Sequence, residues 1–474
     1  MPKLSQRRAA SPTLVLVIVC AGVVLASLDL FIVNVALPQM ARDFGAHGLG
    51  DLSWVLNAYA IVYAALLVLF GRLADRYRRD RGFLVGVAVF VVASAACAAA
   101  TSLPMLIAFR VVQAAGAALL TPTSLGLVLA TFPAERRSSA VRAWTAVGGL
   151  AAAFGPAVGG VLVAASWRWV FLVNLPFGLA ALLAGWRWLP RIPGHPIPRP
   201  DALSAVLITV GVGALTLGLV EGGTWGWGSD RTLSVLGLAA VALALFVART
   251  ARHENPLIDP ALFRVRAFTG ASAVAVLFSA AFGAMLLSRV LWAQEVWHWS
   301  ALKTGFSIVP GPLMVPLVSF LLAGRLTARF GSGLVIAAGS ISFAAGMAWA
   351  ALATGLPPNY VGDVLGSLIL TGIGVGLTLP VLMATASASL PPASFSTGGA
   401  VVNMLRQVGL AIGVAVFIAV LGSPESPAAT LAAYQRGWTV TAAIALAGGI
   451  VGLLLLVSRR RAVAEVPAVA VGRG

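Results

Sequence analysis

Charged residues are scarce in this chain. Only 10% of the 474 residues are charged, whereas 59% are hydrophobic and the mean hydropathy is +0.96. A soluble domain needs roughly a quarter of its residues charged to cover its surface. The composition therefore excludes a large soluble domain and predicts an all-α integral membrane protein whose surface faces the lipid bilayer.

Cysteine and histidine are also rare. The two cysteines, Cys20 and Cys97, both lie inside apolar segments, so they form neither a disulfide framework nor a pair at metal-ligand spacing. No His or Cys cluster indicates a metal site, and no GxxxxGK[ST] loop indicates direct use of ATP. We expect no metal, no cofactor and no enzymatic activity.

Basic residues, by contrast, exceed acidic ones, and the formal net charge is +17. Such an excess can indicate a nucleic-acid binder, which would carry its Lys and Arg on one polar face. Here the basic residues stand in short loops between apolar runs. The pattern excludes nucleic acid as a partner.

Long apolar runs fill most of the chain. About 20 apolar residues are needed for a helix to cross a hydrocarbon core about 30 Å thick. Fourteen runs meet this requirement, and they fall at 13–37, 51–70, 82–101, 103–129, 140–165, 169–189, 203–221, 232–250, 267–288, 300–322, 333–353, 361–386, 398–421 and 438–457. We therefore predict 14 transmembrane helices.

The distribution of Lys and Arg orients these spans. With the N-terminus in the cytoplasm, 25 basic residues fall on the cytoplasmic side and 6 on the outer side, and Arg110 lies inside the fourth span. This asymmetry agrees with the positive-inside rule. It predicts a multi-pass protein of the bacterial cytoplasmic membrane with both termini in the cytoplasm.

A short repeat divides the chain. The sequence GRLADR at 71–76 recurs as GRLTAR at 324–329, after spans 2 and 10. Six-helix halves with an equivalent loop in each are a recurrent transporter plan. We predict a six-helix bundle at 1–190, a linker with two inserted spans at 191–266, a second six-helix bundle at 267–457, and a cytoplasmic tail at 458–474.

Several motifs occur in a characteristic order. They are LDLFIVNVALP at 28–38, GRLADRYRRDR at 71–81, RVVQAAGAAL at 110–119, GPAVGG at 155–160, WRWVFLVNLP at 167–176, NPLIDPALFR at 255–264 and RQVGLAIG at 406–413. Together they resemble the major facilitator superfamily and, within it, the 14-span drug:proton antiporters. The resemblance implies the major facilitator fold and proton-driven export of small hydrophobic or cationic drug-like compounds. We expect a monomer.

Two charged residues fall inside the spans. Asp29 lies about four residues past the middle of span 1, and Arg110 enters span 4 by about seven residues, so both reach similar depths. Intramembrane acids are costly and usually functional. We predict that Asp29 carries a proton and that Arg110, with Gln113 on its face, modulates it. The alternatives are a locked structural aspartate and an arginine satisfied by carbonyls at a helix break.

Further polar residues are weaker candidates. Asn34, Asn57 and Tyr59 stand within apolar spans, where they and Gln113 could line the transport pathway. Three acids lie near the predicted outer ends of spans and are expected at the interface rather than buried, although a second proton site among them stays open: Glu221, Glu295 and Asp363.

The loop 71–81 is a candidate gate. We expect Gly71 to permit a sharp exit from span 2, Asp75 to pair with an arginine or cap a neighbouring helix, and Arg76 and Arg79 to face the cytoplasm. The second copy has Ala328 in place of Asp75, so only the first loop should form a charged latch. The alternative is positive-inside anchoring alone.

Span 5 carries small residues at helical spacing. Gly155 and Gly159 fall on one stripe, with Pro156 and Gly160 adjacent. Small residues permit close helix contact, and proline bends a helix. We predict a tight, hinge-capable contact, which the resemblance identifies as the antiporter signature; plain helix packing is the alternative.

These observations together predict a secondary-active multidrug exporter that uses alternating access and proton antiport. Three other functions stay open at this stage. They are a proton-coupled uptake permease, a lipid flippase of the same fold, and a membrane sensor or scaffold that transports nothing.

Overall fold

The computed structural model describes residues 11–44, 49–197, 201–422 and 424–456, and all regular secondary structure in them is helical. The first six long helices are α1 Pro12–Phe44, α2 Leu49–Arg76, α3 Arg79–Ala98, α4 Leu103–Thr131, α5 Ala134–Val163 and α6 Trp169–Trp188. The next pair is α7 Ala202–Trp225 and α8 Asp230–Arg252. The last six are α9 Arg266–Val296, α10 Leu302–Phe330, α11 Ser332–Ala353, α12 Tyr360–Ala388, α13 Phe395–Leu421 and α14 Pro427–Leu456.

Polar caps and glycines set several helix ends. Ser102, Asp201 and Ser229 each accept a backbone N–H bond in the first turn of α4, α7 and α8, respectively. Gly226 ends α7 with φ of +90°, and Gly331 separates α10 from α11 with φ of +85°. A side chain would be strained in that left-handed region, so glycine suits these turns.

Thirteen helices in the described part of the chain are long and apolar enough to cross a membrane. The prediction of an all-α membrane protein is therefore confirmed. The thirteen do not include α5, a 30-residue helix at the place of the predicted fifth span. The count of 14 spans thus stays a prediction, and the predicted tail at 458–474 lies outside the described residues.

The first six and the last six helices repeat one packing pattern. In the first set, helix α1 packs on α5, and α2 and α3 both pack on α4. In the second set, α9 packs on α13, and α10 and α11 both pack on α12. The two sets meet through α2 with α13 and α5 with α12. The inserted helix α7 packs on α2 and α13, so it covers this seam, while α8 packs mainly on α7.

Candidate functional site

Asp29 and Arg110 form an ion pair in the interior of the first six helices. Arg110 Nη1 donates to Asp29 Oδ2, and both side chains are fully buried. Because α1 continues to Phe44, Asp29 lies at the middle of its helix rather than four residues past it. The structure thus brings together the two charged residues that the sequence singled out.

Amide and hydroxyl groups surround the Asp29 carboxylate. Gln113 Nε2 donates to Asp29 Oδ1 at 2.9 Å, and Asn174 Nδ2 donates to the same oxygen at 3.2 Å. Both amides also donate to Ser94 Oγ, at 2.7 Å and 3.3 Å. Four helices, α1, α3, α4 and α6, therefore supply one hydrogen-bonded cluster around a single acid.

The guanidinium of Arg110 has further partners. Its Nη1 donates to Gln113 Oε1 at 2.7 Å and its Nε donates to the carbonyl of Val55 at 3.0 Å. The Tyr59 ring lies 4.2 Å from the guanidinium carbon, within cation–π range. Helix α4 runs unbroken past Arg110, so the alternative of an arginine held at a helix break is wrong.

Hydrogen-bonding groups are left over beside this ion pair. Arg110 Nη2, Asn174 Oδ1 and the Tyr59 hydroxyl are buried and have no partner among the described residues. Buried polar groups are normally paired. These unpaired donors and acceptors are therefore available to form new hydrogen bonds if the present ones break. The cluster can hold a carboxylate in either protonation state, with donors and acceptors available for both.

The other two predicted pathway residues are Asn34 and Asn57. The side chain of Asn34 is outside the described residues. Asn57 Nδ2 donates to Glu221 Oε1 at 2.8 Å. The expectation that Glu221 and Asp363 are interfacial is wrong, because only 3% and 6% of their surfaces are exposed. Helix α7 extends one turn past Glu221 and α12 begins before Asp363, so both acids lie inside helices. Glu295 is exposed, as expected.

Two expectations for the loop 71–81 are wrong. Gly71 is not at a sharp exit, because α2 continues to Arg76; a Cβ at Gly71 would lie 2.6 Å from Ala400 Cβ on α13. Glycine here permits close helix contact instead. Arg79 does not face solvent, because it is the first residue of α3 and its side chain is 2% exposed. Arg76 donates to the carbonyl of Ile197.

Asp75 connects the two sets of helices. Its carboxylate accepts from the backbone N–H groups of Ser396 at 2.9 Å and Thr397 at 2.7 Å, and from the Thr397 hydroxyl at 2.7 Å. A carboxylate suits the N-terminus of α13, where backbone N–H groups lack partners. Arg79 Nη2 donates to Asp75 at 2.9 Å and to the carbonyl of Pro392 at 3.0 Å. We call these contacts the latch.

Helix α5 packs closely on α1 and on the start of α10 through its small residues. A Cβ at Gly159 would lie 2.9 Å from the backbone oxygen of Ile32, and a Cβ at Gly160 would meet Leu302 Cδ1 at 2.6 Å. Gly155 is buried, and the side chain of Pro156 is outside the described residues. The contact explains the small residues, whereas a hinge role stays a prediction.

One cleft of about 380 Å³ opens at the same end of the bundle as the latch. Ser138, Arg142, Thr327 and Ser389 are among its lining residues. None of the residues around Asp29 lines it. The cleft is therefore separate from the buried ion pair.

Sequence reasoning assigned no role to Ser94 or Asn174. Both are fully buried, and both contact the Asp29 cluster. Asn174 stands inside the apolar run of α6, which is the one signal that could have identified it. A serine in an apolar helix commonly bonds to its own backbone, so Ser94 had no signal of its own.

Comparison with known proteins places the chain in a family. The family model described as Major Facilitator Superfamily matches residues 19–414. The tetracenomycin C resistance and export protein of Streptomyces glaucescens is 34% identical over 87% of this chain and 76% of its own length. The cephamycin export protein CmcT of Amycolatopsis lactamdurans is 34% identical over 88% and 87%. The crystal structure of the human organic anion transporter MFSD10 matches with a TM-score of 0.63 at 16% identity, over 93% of this chain and 99% of that one, and so supports the fold.

Proposed function

The chain belongs to the Major Facilitator Superfamily, and from that premise we propose that it exports small hydrophobic or cationic drug-like compounds in exchange for protons. The buried Asp29–Arg110 pair is the observation that carries this proposal. Relatives named as antibiotic export proteins favour outward transport over an uptake permease, a flippase or a scaffold. We further propose that the protein is a monomer of the bacterial cytoplasmic membrane with both termini in the cytoplasm, and that it needs no cofactor.

Asp29 carries the proton in this mechanism. An ionised carboxylate without a cation is costly inside a membrane protein. While Arg110 stays in contact, the carboxylate is compensated and can remain ionised. When helix movement withdraws Arg110, proton uptake by Asp29 removes the uncompensated charge, and return of the arginine expels the proton. The unpaired donors and acceptors beside the pair support such an exchange of partners.

The latch supplies the inward gate. Alternating access requires the halves at 1–190 and 267–457 to rock about a central site, with the segment 191–266 between them. Asp75 and Arg79 tie the two halves at what we propose is the cytoplasmic end. The observed arrangement, with the latch formed, then corresponds to a state closed toward the cytoplasm. The glycines of α5 allow α1 to move without opening a leak.

The test is dye efflux in inverted membrane vesicles with an acidic interior. We expect wild-type protein to accumulate a cationic dye while the pH gradient lasts, and Asp29→Asn to lose this accumulation. Asp43→Asn is the matched control, since Asp43 is an exposed acid on the same helix. Full gradient-dependent accumulation by Asp29→Asn would remove Asp29 from the mechanism.

The proposed orientation of the protein in the membrane has a separate test. Lys303 is exposed, and apart from Lys3 it is the only lysine in the chain. In an Lys3→Arg background, a membrane-impermeant amine reagent added to intact cells should label Lys303. Protection of Lys303 in intact cells, with labelling only after lysis, would invert the proposed orientation.

A further inference from the structure

Glu221 is another buried acid, and it lies on the inserted helix α7. Its residue surface is 3% exposed, and its Oε1 accepts from Asn57 Nδ2 at 2.8 Å. Among the described residues, no Lys, Arg or His nitrogen lies within 4.0 Å of its carboxylate. Glu221 thus differs from Asp29, which has a buried guanidinium as its counter-ion.

Helix α7 covers the seam between the two sets of six helices. A Cβ at Gly213 of α7 would lie 3.6 Å from Ala65 Cβ on α2, and a Cβ at Gly223 would lie 3.6 Å from Ile418 Cγ2 on α13. Glu221 lies between these two glycines and points toward α2, where Asn57 binds it. The acid therefore sits where the two halves would move against each other, not at the lipid surface.

Helix α2 connects Glu221 to the Asp29 cluster. Asn57 stands between Val55, whose carbonyl accepts from Arg110, and Tyr59, whose ring lies under the same guanidinium. Val55 and Tyr59 are four residues apart and share one face of α2, whereas Asn57 lies on another face. One helix thus separates the two acids and contacts both sites.

Few other ionisable groups stand near Glu221 on the surrounding helices. Arg72, Asp75 and Arg76 of α2, and Arg249 and Arg252 of α8, stand at the far ends of those helices. Helix α8 begins with Asp230 and Arg231, and both are exposed at its end. Helix α13 carries Arg406, which donates to Asn403 one turn away at 3.3 Å. On α2, Tyr63 shares a hydrogen bond with Thr121 at 3.1 Å, and Tyr59 belongs to the Asp29 cluster. None of these groups is an ion-pair partner of Glu221.

We propose that Glu221 is a second proton-binding carboxyl of the transport cycle. A carboxylate buried beside one neutral amide has no compensation for its charge, so a proton is the cation that fits the site. The proton adds to a carboxylate oxygen from the outer side. It leaves toward the cytoplasm when movement of α2 separates Asn57 from Glu221. This inference rests on the proton-exchange function proposed above.

A second proton changes the charge moved in each cycle. If Asp29 alone carries a proton, exchange of one proton for one monovalent cation moves no net charge. With Glu221 also protonated, two protons enter for each monovalent cation exported, and one positive charge moves inward. An imposed potential of about 100 mV then changes the equilibrium accumulation by roughly 50-fold.

The experiment is transport of tetraphenylphosphonium, a permanent monovalent cation, by the full-length protein in liposomes. This cation also crosses a bilayer passively in response to the potential, so its distribution in protein-free liposomes under the same conditions is subtracted. A pH gradient and a membrane potential are imposed separately. Wild-type protein should respond to both. Glu221→Gln should show a smaller accumulation driven by the pH gradient, because one proton rather than two enters for each cation, and should lose the roughly 50-fold effect of the potential. Asp230→Asn, an exposed acid of the same inserted pair, should behave as wild type.

Two results would overturn this inference alone. One is a Glu221→Gln protein whose response to the potential equals that of wild type. The other is wild-type transport that responds to the pH gradient but not to the potential. This second result needs no variant, so it would refute the second proton even if Glu221→Gln folds poorly. If the pH gradient drives no transport by wild-type protein, the proposed function itself fails.

Discussion

Replacement of Asp75 by asparagine should open the latch. Asp75 is fully buried and accepts four hydrogen bonds, three from the N-terminal turn of α13 and one from Arg79. Asparagine keeps the shape and one carbonyl oxygen but loses the negative charge. Arg79 would then be a buried cation without a carboxylate, and the N-terminus of α13 would lose its charged cap.

The size of this effect follows from the contacts that Asp75 makes. Removing one partner of a buried ion pair costs about 3–5 kcal/mol, and a cap contributes about 1 kcal/mol. Asparagine retains part of the hydrogen bonding, so about 3 kcal/mol is a suitable value for the loss in the closed state. In the open state Asp75 is hydrated and the substitution costs little. The ratio of closed to open molecules should therefore fall by roughly 100-fold.

Double electron–electron resonance can measure this population directly. Spin labels at the exposed positions Tyr77 and Pro391 report the separation of the two sides of the latch, in a background where Cys20 and Cys97 are alanine. Asp75→Asn should add a population at longer distance. The control is Asp80→Asn, because Asp80 pairs only with nearby Arg78 among the described residues.

Equal distance distributions for wild type and Asp75→Asn would refute the gating role. So would an equal shift with Asp80→Asn, because that acid makes no ion pair or hydrogen bond to α13 in the part of the chain that the structure describes.

Three further predictions concern single substitutions. Arg110→Lys should lower gradient-driven efflux by about tenfold or more, because an ammonium cannot reproduce the forked contacts of the guanidinium. Gly159→Ala should lower the melting temperature of the purified protein, since overpacking costs about 1–3 kcal/mol, whereas Gly237→Ala, with open space around it, should not. Hydrogen bonds from Arg249 hold the pKa of Asp201 below its usual range, so Asp201→Asn should destabilise the protein at neutral pH. That difference should shrink progressively as the pH falls below about 4, where Asp201 of the unfolded chain takes up a proton while Asp201 of the folded protein is still charged.

The sequence was sufficient to place the two members of the buried ion pair at similar depths. Asp29 and Arg110 are 81 positions apart, yet counting residues from the ends of their spans placed them at similar depths. The count works because a helix rises by a fixed amount per residue and the membrane fixes where each helix begins. Counting residues gives only the depth of a residue in the membrane. Which neighbouring helix each side chain faces is known only from the structure.

The sequence was not sufficient where packing between helices decides the outcome. The pattern after Gly71 permits either a turn or a continued helix, and only the close contact with α13 explains the glycine. Arg79 was expected in solvent because most loop arginines lie there. Its burial depends on Asp75 and Pro392, and the latter is more than 300 residues away along the chain. Such long-range partners leave no local signal.

In the proposed mechanism Asp29 carries the proton that is exchanged for substrate, so binding of substrate should make Asp29 release it. Proton release can be measured by adding a saturating cationic substrate to purified protein in weakly buffered detergent solution, with substrate affinity determined on the same samples. The account predicts that Asp29→Asn releases one proton fewer per bound substrate than wild type. Equal release by the two proteins, at equal occupancy by substrate, would contradict it.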